Sequence, residues 1–472
     1  MNVKICPAEI SGTINAPPSK TLAHRLMIAA ALSGNKITVK NVGESKDVLA
    51  TARCLKSFGA DCKIENGDFA VNSFSPVTDR IVTADCGESG STLRFLLPVA
   101  AAFGIKADFT GSERLLSRPA DKLIECLNKN GAKISGFSVR GKLNYGASEN
   151  GEIVDRTPEN HLISGKNGAS VDGETADCKS QKTEKKNDIT ATNTANISRR
   201  EYVIDASVSS QYVTGLMLAL GFTDKPSRIT VTGKRVSENY IEVTRGVLKS
   251  FGVKTVKQKD GYKIIPKSRK SAKNVSAQYQ TEGDFSGAAF MLSLGAVCGE
   301  VTVKGLNLKS RQGDKKIVKV LKKMGATVRK ADGGVTIKKN KLKAITLDCE
   351  NIPDLVQVIS AVAAFAKGVT VLKNVERLRV KESDRIEAIL SMLEKAKIAA
   401  VFDGNSIKIT GGTPQGFQMD GGNDHRTVMS AAVLAAGATG ETLITGAQAV
   451  EKSYPAFFED LIKLGENVNV GV

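Results

Sequence analysis

Residues 284–305 read DFSGAAFMLSLGAVCGEVTVKG, and this stretch contains the unit from which the fold can be predicted. A polar start at Asp284 precedes a run of small and apolar residues, then Gly299 and the β-branched run Val301-Thr302-Val303. The apolar run has no polar face, so we expect a helix that is buried on every side. The β-branched run predicts a strand immediately after it.

The same unit occurs six times along the chain. The six apolar helices are expected to begin near residues 21, 90, 210, 286, 354 and 426. The glycines that follow are expected in the left-handed position just past a helix end, and they are Gly34, Gly104, Gly221, Gly299, Gly368 and Gly440. A strand and a second, amphipathic helix come next, so strands lie between inner and outer helices and predict an α/β fold.

Spacing reveals one anomaly in this repeat. The second and third helices start about 120 residues apart, near 90 and 210, whereas the other gaps are about 70 residues. The surplus lies in residues 149–199, which are rich in Ser, Thr, Asn, Lys and Gly and have almost no apolar periodicity. We interpret residues 149–199 as a flexible insertion. The basic, polar residues 254–273 are a candidate domain boundary.

Composition narrows the class of protein. The 472 residues include 67 Lys and Arg against 49 Asp and Glu, a net charge of +18, and aromatic residues make up 5% with no Trp. Few aromatics argue against single-stranded nucleic acid as a partner. No apolar run reaches the ~18 residues of a membrane span, and the N-terminus lacks the apolar core of a signal peptide. We therefore predict a cytoplasmic protein with no membrane partner.

Cationic residues stand beside the predicted helix starts. Helix N-termini favour anions, and Lys and Arg added there suit phosphates and carboxylates. The cations are Lys20, Arg25, Arg94 and Arg426, and the loops before the outer helices add Arg118, Arg311, Lys381, Arg385 and Lys452. Ordinary helix caps and a solvated basic surface are the alternative interpretation.

Two carboxylates are candidates for proton transfer. Asp354 opens a predicted buried helix after Pro353, and Glu382 lies between Lys381 and Arg385. Burial and neighbouring cations can tune such groups for acid–base work. A capping aspartate and a helix-surface salt bridge are the alternatives. The three histidines form no cluster in the sequence, and the eight cysteines form no Cys-x-x-Cys pair, so no metal site is expected.

Nine short segments, taken together and in order, resemble the 5-enolpyruvylshikimate-3-phosphate synthase family, the 3-phosphoshikimate 1-carboxyvinyltransferases. The resemblance covers almost the whole chain except the insertion. The segments are PSKTLAHR (18–25), GESGSTLR (87–94), SRP (117–119), SSQY (209–212), SENYI (237–241), IPD (352–354), RVKESDR (379–385), NDHR (423–426) and KSYP (452–455).

The resemblance implies a two-lobed inside-out α/β barrel of six βαβαββ repeats, three in each lobe. Residues 1–19 with 275–472 would form the lobe that bears much of the phosphoenolpyruvate site. Residues 20–274 would form the lobe that bears much of the shikimate 3-phosphate site and would contain the insertion. The hinge would lie near residues 18–20 and 277–283. A monomer is expected.

The family's reaction transfers the enolpyruvyl group of phosphoenolpyruvate to the 5-hydroxyl of shikimate 3-phosphate, with no metal or organic cofactor. By resemblance the catalytic residues would be Lys20, Asp354, Glu382 and His425. Shikimate 3-phosphate would be held by Lys20, Thr21, Arg25, Ser209, Ser210, Gln211, Ser237, Asp354, Arg377 and Lys381. Phosphoenolpyruvate would be held by Lys20, Gly90, Arg118, Gln211, Arg385, Arg426 and Lys452. Both substrates are small anions, so nucleic acid is not needed to account for the positive charge.

Some positions depart from the family's commonest pattern. Thr21 replaces a usual Ser, Glu88 and Arg377 each replace a frequent Asn, and Ser91 replaces a Thr or Ala. These departures bear on Michaelis constants and on glyphosate, which the family binds in its phosphoenolpyruvate site, more than on the reaction.

Two rival functions are compatible with parts of the same sequence. The sister enolpyruvyl transferase that acts on UDP-N-acetylglucosamine uses a reactive Cys in a loop of the second unit, but residues 111–121 contain none. A basic RNA-binding or RNA-end-processing protein on related repeats is the other rival.

Overall fold

The computed structural model describes residues 1–143, 200–267 and 277–471. Its strands form six four-stranded sheets in these ranges, and each sheet has one parallel pair and two antiparallel pairs. The repeat predicted from the sequence is therefore confirmed at the level of strand pairing. The predicted insertion, residues 149–199, lies outside the described residues.

Three sheets, which we call set I, take their strands from residues 37–280. The strands are β3 (Ile37–Lys40), β4 (Ala60–Glu65), β5 (Asp68–Phe74), β6 (Ile81–Asp85), β7 (Lys106–Thr110), β8 (Ile134–Ser135), β9 (Ser138–Val139), β10 (Arg200–Asp205), β11 (Ser227–Thr232), β12 (Lys254–Gln258), β13 (Gly261–Ile265) and β14 (Ala277–Gln280). Their orders are β14-β3-β5-β4, β6-β7-β9-β8 and β10-β11-β13-β12.

The other three sheets, set II, combine the first strands of the chain with the C-terminal part. The strands are β1 (Val3–Cys6), β2 (Ile10–Asn15), β15 (Gly299–Lys304), β16 (Thr327–Ala331), β17 (Gly334–Lys338), β18 (Thr346–Asp348), β19 (Val369–Lys373), β20 (Ala400–Phe402), β21 (Ser406–Thr410), β22 (Gln418–Asp420), β23 (Thr442–Thr445) and β24 (Asn467–Val470). Their orders are β16-β17-β15-β2, β18-β19-β21-β20 and β22-β23-β1-β24.

The chain passes between the two sets twice, at neighbouring points. Pro18 forms an isolated bridge with Gly283, and the Ser19 N–H donates to the Glu282 carbonyl at 2.9 Å. β14, just before the second crossing, pairs with β3 of set I.

Six inner helices carry the apolar runs. They are α1 (Lys20–Leu32), α3 (Gly90–Phe103), α6 (Ser210–Leu220), α8 (Phe285–Cys298), α10 (Val356–Ala363) and α12 (His425–Gly437). All residues of α8 and α10 are buried. α3 packs on α6, and α12 packs on α8 and α10, so each set of sheets encloses helices whose sides are covered. No helix in the described ranges is both long and apolar enough to cross a membrane.

Amphipathic helices form the outer layer. They are α2 (Lys46–Ser57), α5 (Asp121–Lys129), α7 (Glu238–Ser250), α9 (Lys316–Met324), α11 (Arg385–Lys395) and α13 (Phe457–Lys463), and a short helix, α4 (Glu113–Leu116), precedes α5. In α9 the buried residues Ile317, Val320, Leu321 and Met324 recur at helical spacing. This apolar stripe packs inward while the lysines face out.

The glycine prediction is right at two inner helices, where Gly34 and Gly104 have positive φ just past the helix end. Gly368 and Gly440 also have positive φ, but they lie shortly before β19 and β23 rather than at the ends of α10 and α12. Gly221 has φ −62° and Gly299 has φ −178°. Gly299 begins β15 directly, and a Cβ there would lie 1.8 Å from the Ile10 carbonyl oxygen. Gly299 is therefore required because β15 and β2 approach each other closely there, and not because the chain makes a left-handed turn.

Residues 254–265 correct a second prediction. This part of the basic stretch is not a boundary, because β12 and β13 pair as an antiparallel hairpin inside the sheet of β10 and β11. Residues 268–273 of the predicted boundary lie outside the described residues. Tyr262 and Ile264 are buried, while Lys263 between them is exposed. The composition of such a hairpin is polar because its outward residues are polar, although its inward face is apolar.

Candidate functional site

One cleft collects the starts of five inner helices. The start of α1 contributes Lys20 and Thr21, α3 contributes Gly90 and Ser91, and the start of α6 contributes Ser209, Ser210 and Gln211. Asp354 comes from a short 3-10 turn before α10, and His425 and Arg426 come from α12. The empty volume of the cleft, measured out to its open mouth, is about 1040 Å³. Helix N-termini from both sets of sheets thus face one space, as required for a common anion site.

Nearly all residues predicted for the site line this cleft. Those from set I and the start of α1 are Lys20, Thr21, Arg25, Gly90, Arg118, Ser209, Ser210, Gln211 and Ser237, and those from set II are Asp354, Arg377, Lys381, Glu382, Arg385, His425 and Arg426. Lys452 is the exception, since it lines a separate cavity whose empty volume, measured in the same way, is about 800 Å³. Arg311 is also elsewhere, exposed and 3.5 Å from Glu242.

The start of α8 also does not face the cleft. Asp284 caps this helix by accepting from the Gly287 N–H at 2.8 Å, and the Ser19 hydroxyl donates to Asp284 at 3.2 Å. Gln312 donates to the Gly283 carbonyl at 2.8 Å. The sixth helix start therefore forms hydrogen bonds where the chain passes between the two sets of sheets, and not with the cleft.

Two arginines flank Gly90 on one side of the cleft. A Cβ on Gly90 would lie 2.7 Å from an Nη of Arg94 and 2.7 Å from an Nη of Arg118. Arg94 donates to the Gln211 side-chain oxygen at 3.3 Å and to the Pro119 carbonyl at 3.0 Å. The Nε atoms of both arginines are buried and have no hydrogen-bond partner in the described part of the chain. This corner has spare donors for an anion.

Asp354 is surrounded by cations on the opposite side. Its carboxylate lies 3.1 Å from Arg385, 3.3 Å from Arg426 and 3.8 Å from Lys381, and the Tyr240 hydroxyl donates to it at 2.8 Å. Burial by itself would raise the pKa of Asp354, but the three cations and the tyrosine outweigh burial and hold this pKa well below its usual range. Asp354 is therefore an ionised acceptor.

Arg385 links a second group of acids. It lies 2.7 Å from Asp424 and 3.5 Å from Glu382. His425 Nδ1 is 2.8 Å from Glu382 Oε2, although outside hydrogen-bond geometry. Burial opposes ionisation of Glu382, yet His425, Arg385 and Lys20 lower its pKa well below the ordinary value. These contacts place a carboxylate and an imidazole within reach of proton exchange.

Glu382, Asp424 and His425 bring three possible metal ligands within 4.8 Å of one another. Arg385 already donates hydrogen bonds to both carboxylate oxygens of Asp424. Burial, together with the positive charges of Lys20 and Arg426, lowers the pKa of His425. Fixed cations at this spot fit a carboxylate–guanidinium network better than a metal ion.

Lysines of the cleft differ in their protonation. Burial lowers the pKa of Lys381 to about 8, and Asp354 only partly offsets this. Burial acts the same way on Lys20, but Asp47, 2.7 Å away, and Glu382 raise the pKa of Lys20 above its ordinary value. Lys20 is thus firmly charged, while Lys381 titrates near neutral pH.

Two contributors, Asp47 and Tyr240, were missed from the sequence, and a third, Arg94, was predicted as a cation beside a helix start but not as a site residue. Asp47 is the counter-ion of Lys20, Arg94 holds Gln211, and Tyr240 donates to Asp354. Arg94 and Tyr240 lie inside motifs that the sequence analysis quoted, so their positions offered a signal. Asp47 offered none, because an acidic residue in the first turn of a helix such as α2 is ordinary capping.

Comparisons with known proteins agree along most of the chain. A family model described as EPSP synthase (3-phosphoshikimate 1-carboxyvinyltransferase) matches residues 6–153 and 174–461. A 3-phosphoshikimate 1-carboxyvinyltransferase from Clostridium novyi is 35% identical, covering 98% of this chain and 97% of the relative. A protein of the same name from Methanopyrus kandleri is 33% identical, covering 98% of this chain and 97% of the relative.

Solved structures share the fold. An EPSP synthase from Acinetobacter baumannii superposes with a TM-score of 0.72 at 21% identity, covering 99% of each chain. The enolpyruvyl transferase NikO from Streptomyces tendae gives a TM-score of 0.70 at 13% identity, covering 99% of this chain and 98% of NikO. The six sheets are thus those of the two-lobed inside-out α/β fold, and the chain belongs to the EPSP synthase (3-phosphoshikimate 1-carboxyvinyltransferase) family.

Proposed function

We propose that this protein transfers the enolpyruvyl group of phosphoenolpyruvate to the 5-hydroxyl of shikimate 3-phosphate and releases inorganic phosphate. This is a step of the shikimate pathway, which leads to aromatic amino acids. Family membership supports the proposal, and the charge of the cleft is the structural observation that carries it.

The charge count of the cleft fits two anions bound together. Eight Lys and Arg side chains and three Asp and Glu side chains are among its described lining residues, a formal excess of 8 − 3 = 5 positive charges. Each substrate carries one carboxylate and one phosphate monoester, so the pair brings roughly five to six negative charges. The cleft can therefore nearly neutralise both substrates at once, which one small anion would not require.

Each substrate is assigned residues from both sets of sheets. Shikimate 3-phosphate is held by Thr21, Arg25, Ser209, Ser210, Ser237, Arg377 and Lys381. Phosphoenolpyruvate is held by Gly90, Arg118, Arg385 and Arg426, with Lys20 and Gln211 between the two ligands and Lys452 reaching in from its own cavity. The unpaired guanidinium donors beside Gly90 support a phosphate or carboxylate at that corner.

The chemistry needs one proton delivered to carbon and one removed from oxygen. Lys20, which keeps its proton, protonates the methylene carbon of phosphoenolpyruvate as the 5-hydroxyl oxygen bonds to its C2, and the ionised Glu382 and His425 complete this proton-transfer group. Asp354 accepts the hydroxyl proton, and its low pKa is consistent with an ionised acceptor. The tetrahedral intermediate then returns a proton from its methyl group to the Lys20–Glu382 group and expels phosphate, which restores the double bond.

The lobes are proposed to be residues 1–19 with 275–472 and residues 20–274, hinged near Pro18 and Gly283. Closure of the lobes would exclude water from the cleft. The protein is proposed to act as a cytoplasmic monomer, and seven free cysteines among the described residues are consistent with a reducing compartment.

A phosphate-release assay tests the proposed function. Purified protein is mixed with both substrates, and parallel reactions omit one substrate each. We expect phosphate only in the complete mixture, and no release from the Lys20→Ala and Asp354→Ala variants, whose circular dichroism should stay native. Release that persists without shikimate 3-phosphate would contradict the transfer.

A further inference from the structure

Glu88 makes a contact that the proposed mechanism does not use. It lies in the loop between β6 and α3, two residues before Gly90 of the cleft. Its Oε1 accepts from the Asn423 side-chain amide at 2.8 Å, and its Oε2 accepts from the Lys452 ammonium. Asn423 and Lys452 belong to set II, so one carboxylate of set I spans the interface between the two sets.

Lys452 has no other counter-ion among the residues that the structure describes. Its ammonium donates to Glu88 and to the Asn423 carbonyl, and its side chain is only 8% exposed. The other cations of its cavity are engaged separately, since Lys46 pairs with Glu451 at 2.6 Å and Arg53 lies 3.4 Å from Asp85. A buried ammonium needs a compensating anion, and in this structure Glu88 provides it.

The cavity of Lys452 adjoins the cleft. Asp47 lines both spaces, and its carboxylate holds Lys20 on the cleft side. Gly87 and Glu88 line the cavity, while Gly90 of the same loop lines the cleft. An anion seated beside Gly90 and Arg118 is therefore next to the Glu88–Lys452 pair.

We propose that Glu88 is a specificity-determining residue: its carboxylate occupies Lys452 as a tethered internal anion, which phosphoenolpyruvate must displace in order to reach that lysine. This inference rests on the proposed function, because it takes phosphoenolpyruvate as the anion of that corner. Displacement exchanges one ion pair for another, and the freed carboxylate repels the incoming charge. Glu88 therefore weakens binding of phosphoenolpyruvate and leaves shikimate 3-phosphate, held around Arg25 and Ser237, unaffected.

The test replaces Glu88 by Gln, which keeps the shape and can still accept from Asn423. Calorimetric titration with phosphoenolpyruvate, at saturating shikimate 3-phosphate and constant ionic strength, is run with the Asp354→Ala variant as background so that no turnover occurs. We expect E88Q to bind phosphoenolpyruvate about 3- to 30-fold more tightly, the range for removing a partly buried charge pair. In the active enzyme, the KM for phosphoenolpyruvate should fall and the KM for shikimate 3-phosphate should stay unchanged.

Two further variants separate this role from a merely structural bridge. Glu451→Gln removes the exposed Lys46–Glu451 pair, which also joins set I to set II, and it should change neither KM. In a Lys452→Met background, E88Q should lose most of its effect. Unchanged or weaker binding of phosphoenolpyruvate by E88Q, or an equal gain without Lys452, would overturn the proposal. If the wild-type protein releases no phosphate from the complete mixture, the proposed function has failed instead.

Discussion

At the scale of single residues, burial decides which cations of the cleft stay charged. Lys20 keeps its proton because Asp47 touches it, whereas burial lowers the pKa of Lys381 to about 8. A lysine whose pKa is lowered is charged below that pKa and loses its charge as the pH rises through it. Affinity for a phosphate held by Lys381 should therefore fall above pH 8.

Lys381→Arg tests this statement. Arginine keeps its charge when buried, so the alkaline fall of kcat/KM for shikimate 3-phosphate should move up by roughly one pH unit or more. The measurement is a pH profile of kcat/KM, with Lys381→Met as a control that should be weak at every pH. If the alkaline fall of kcat/KM occurs at the same pH in the Arg variant, a group other than Lys381 causes it.

Single residues also limit what sequence could reveal. Lys381, Arg385 and Asp354 were identifiable, because motifs place them at predicted helix starts. The role of Asp47 could not be predicted, because no local pattern links residues 20 and 47. Only the packing of α2 beside α1 brings the two side chains together. Lys452 was expected as a cation before an outer helix, but its ion pair with Glu88 depends on a contact across 364 residues.

At the scale of elements, the N-terminus of α3 is shaped by a missing side chain. A Cβ on Gly90 would meet the guanidinium groups of Arg94 and Arg118, which are the mobile ends of long side chains. Gly90→Ala should therefore displace the arginines rather than unfold the helix. We expect the KM for phosphoenolpyruvate to rise about tenfold, equivalent to ~1.4 kcal/mol, with little change in melting temperature.

Gly104→Ala at the other end of α3 is the matched control. Gly104 has φ +73°, so alanine is strained there and should cost about 1 kcal/mol of stability. The melting temperature should fall and the KM should not change. If Gly90→Ala behaved like Gly104→Ala, the helix start would have no special role in binding.

The loop that joins α13 to β24 contains a buried carboxyl group, that of Glu466. Both oxygens of Glu466 are buried without a hydrogen-bond partner among the described residues, and burial raises its pKa to about 8. The folded state binds this proton more tightly than the unfolded state does, so stability falls as the pH rises from about 4.5 to 8.

Glu466→Gln mimics the protonated acid and should remove that loss. We expect the free energy of unfolding to increase by about 1–3 kcal/mol at pH 8, with no difference near pH 4.5. Urea unfolding at both pH values measures it, and the exposed Glu459→Gln in α13 is the control. A stabilisation that is equal at both pH values would rule out titration of Glu466 as the cause.

Elements were the most predictable level of this structure. The apolar runs determined the inner helices because a helix without a polar face has to be buried. The left-handed positions were less predictable: in the fifth repeat, where no glycine follows the outer helix, Lys397 itself adopts φ +63°. Gly299 reads like a helix stop, although its role is the close approach of β15 to β2.

At the scale of the whole molecule, the family match leaves out one internal segment. Residues 154–173 fall between the two matched ranges. Deleting them should leave kcat/KM within about threefold, because the entropic cost of closing a loop changes little with its length. Expression level and phosphate release measure the effect. A loss of activity or expression would show that the segment belongs to the folded core or to the site.

The convergence of the helix starts was only partly predictable. Six equivalent starts suggested a common region, and five of them meet at the cleft. The sixth, at Asp284, braces the crossing with Ser19. Which starts converge depends on how the two sets of sheets face each other, and this is a property of long-range packing that no repeat contains.

The central claim is that the phosphate released comes from phosphoenolpyruvate while shikimate 3-phosphate keeps its own. Phosphorus-31 NMR of the complete reaction follows both groups in one sample. We predict that the phosphoenolpyruvate signal converts one for one into inorganic phosphate, while a phosphate monoester signal persists as the product forms. Loss of the shikimate 3-phosphate monoester, or release of phosphate with no new enol ether, would contradict the account.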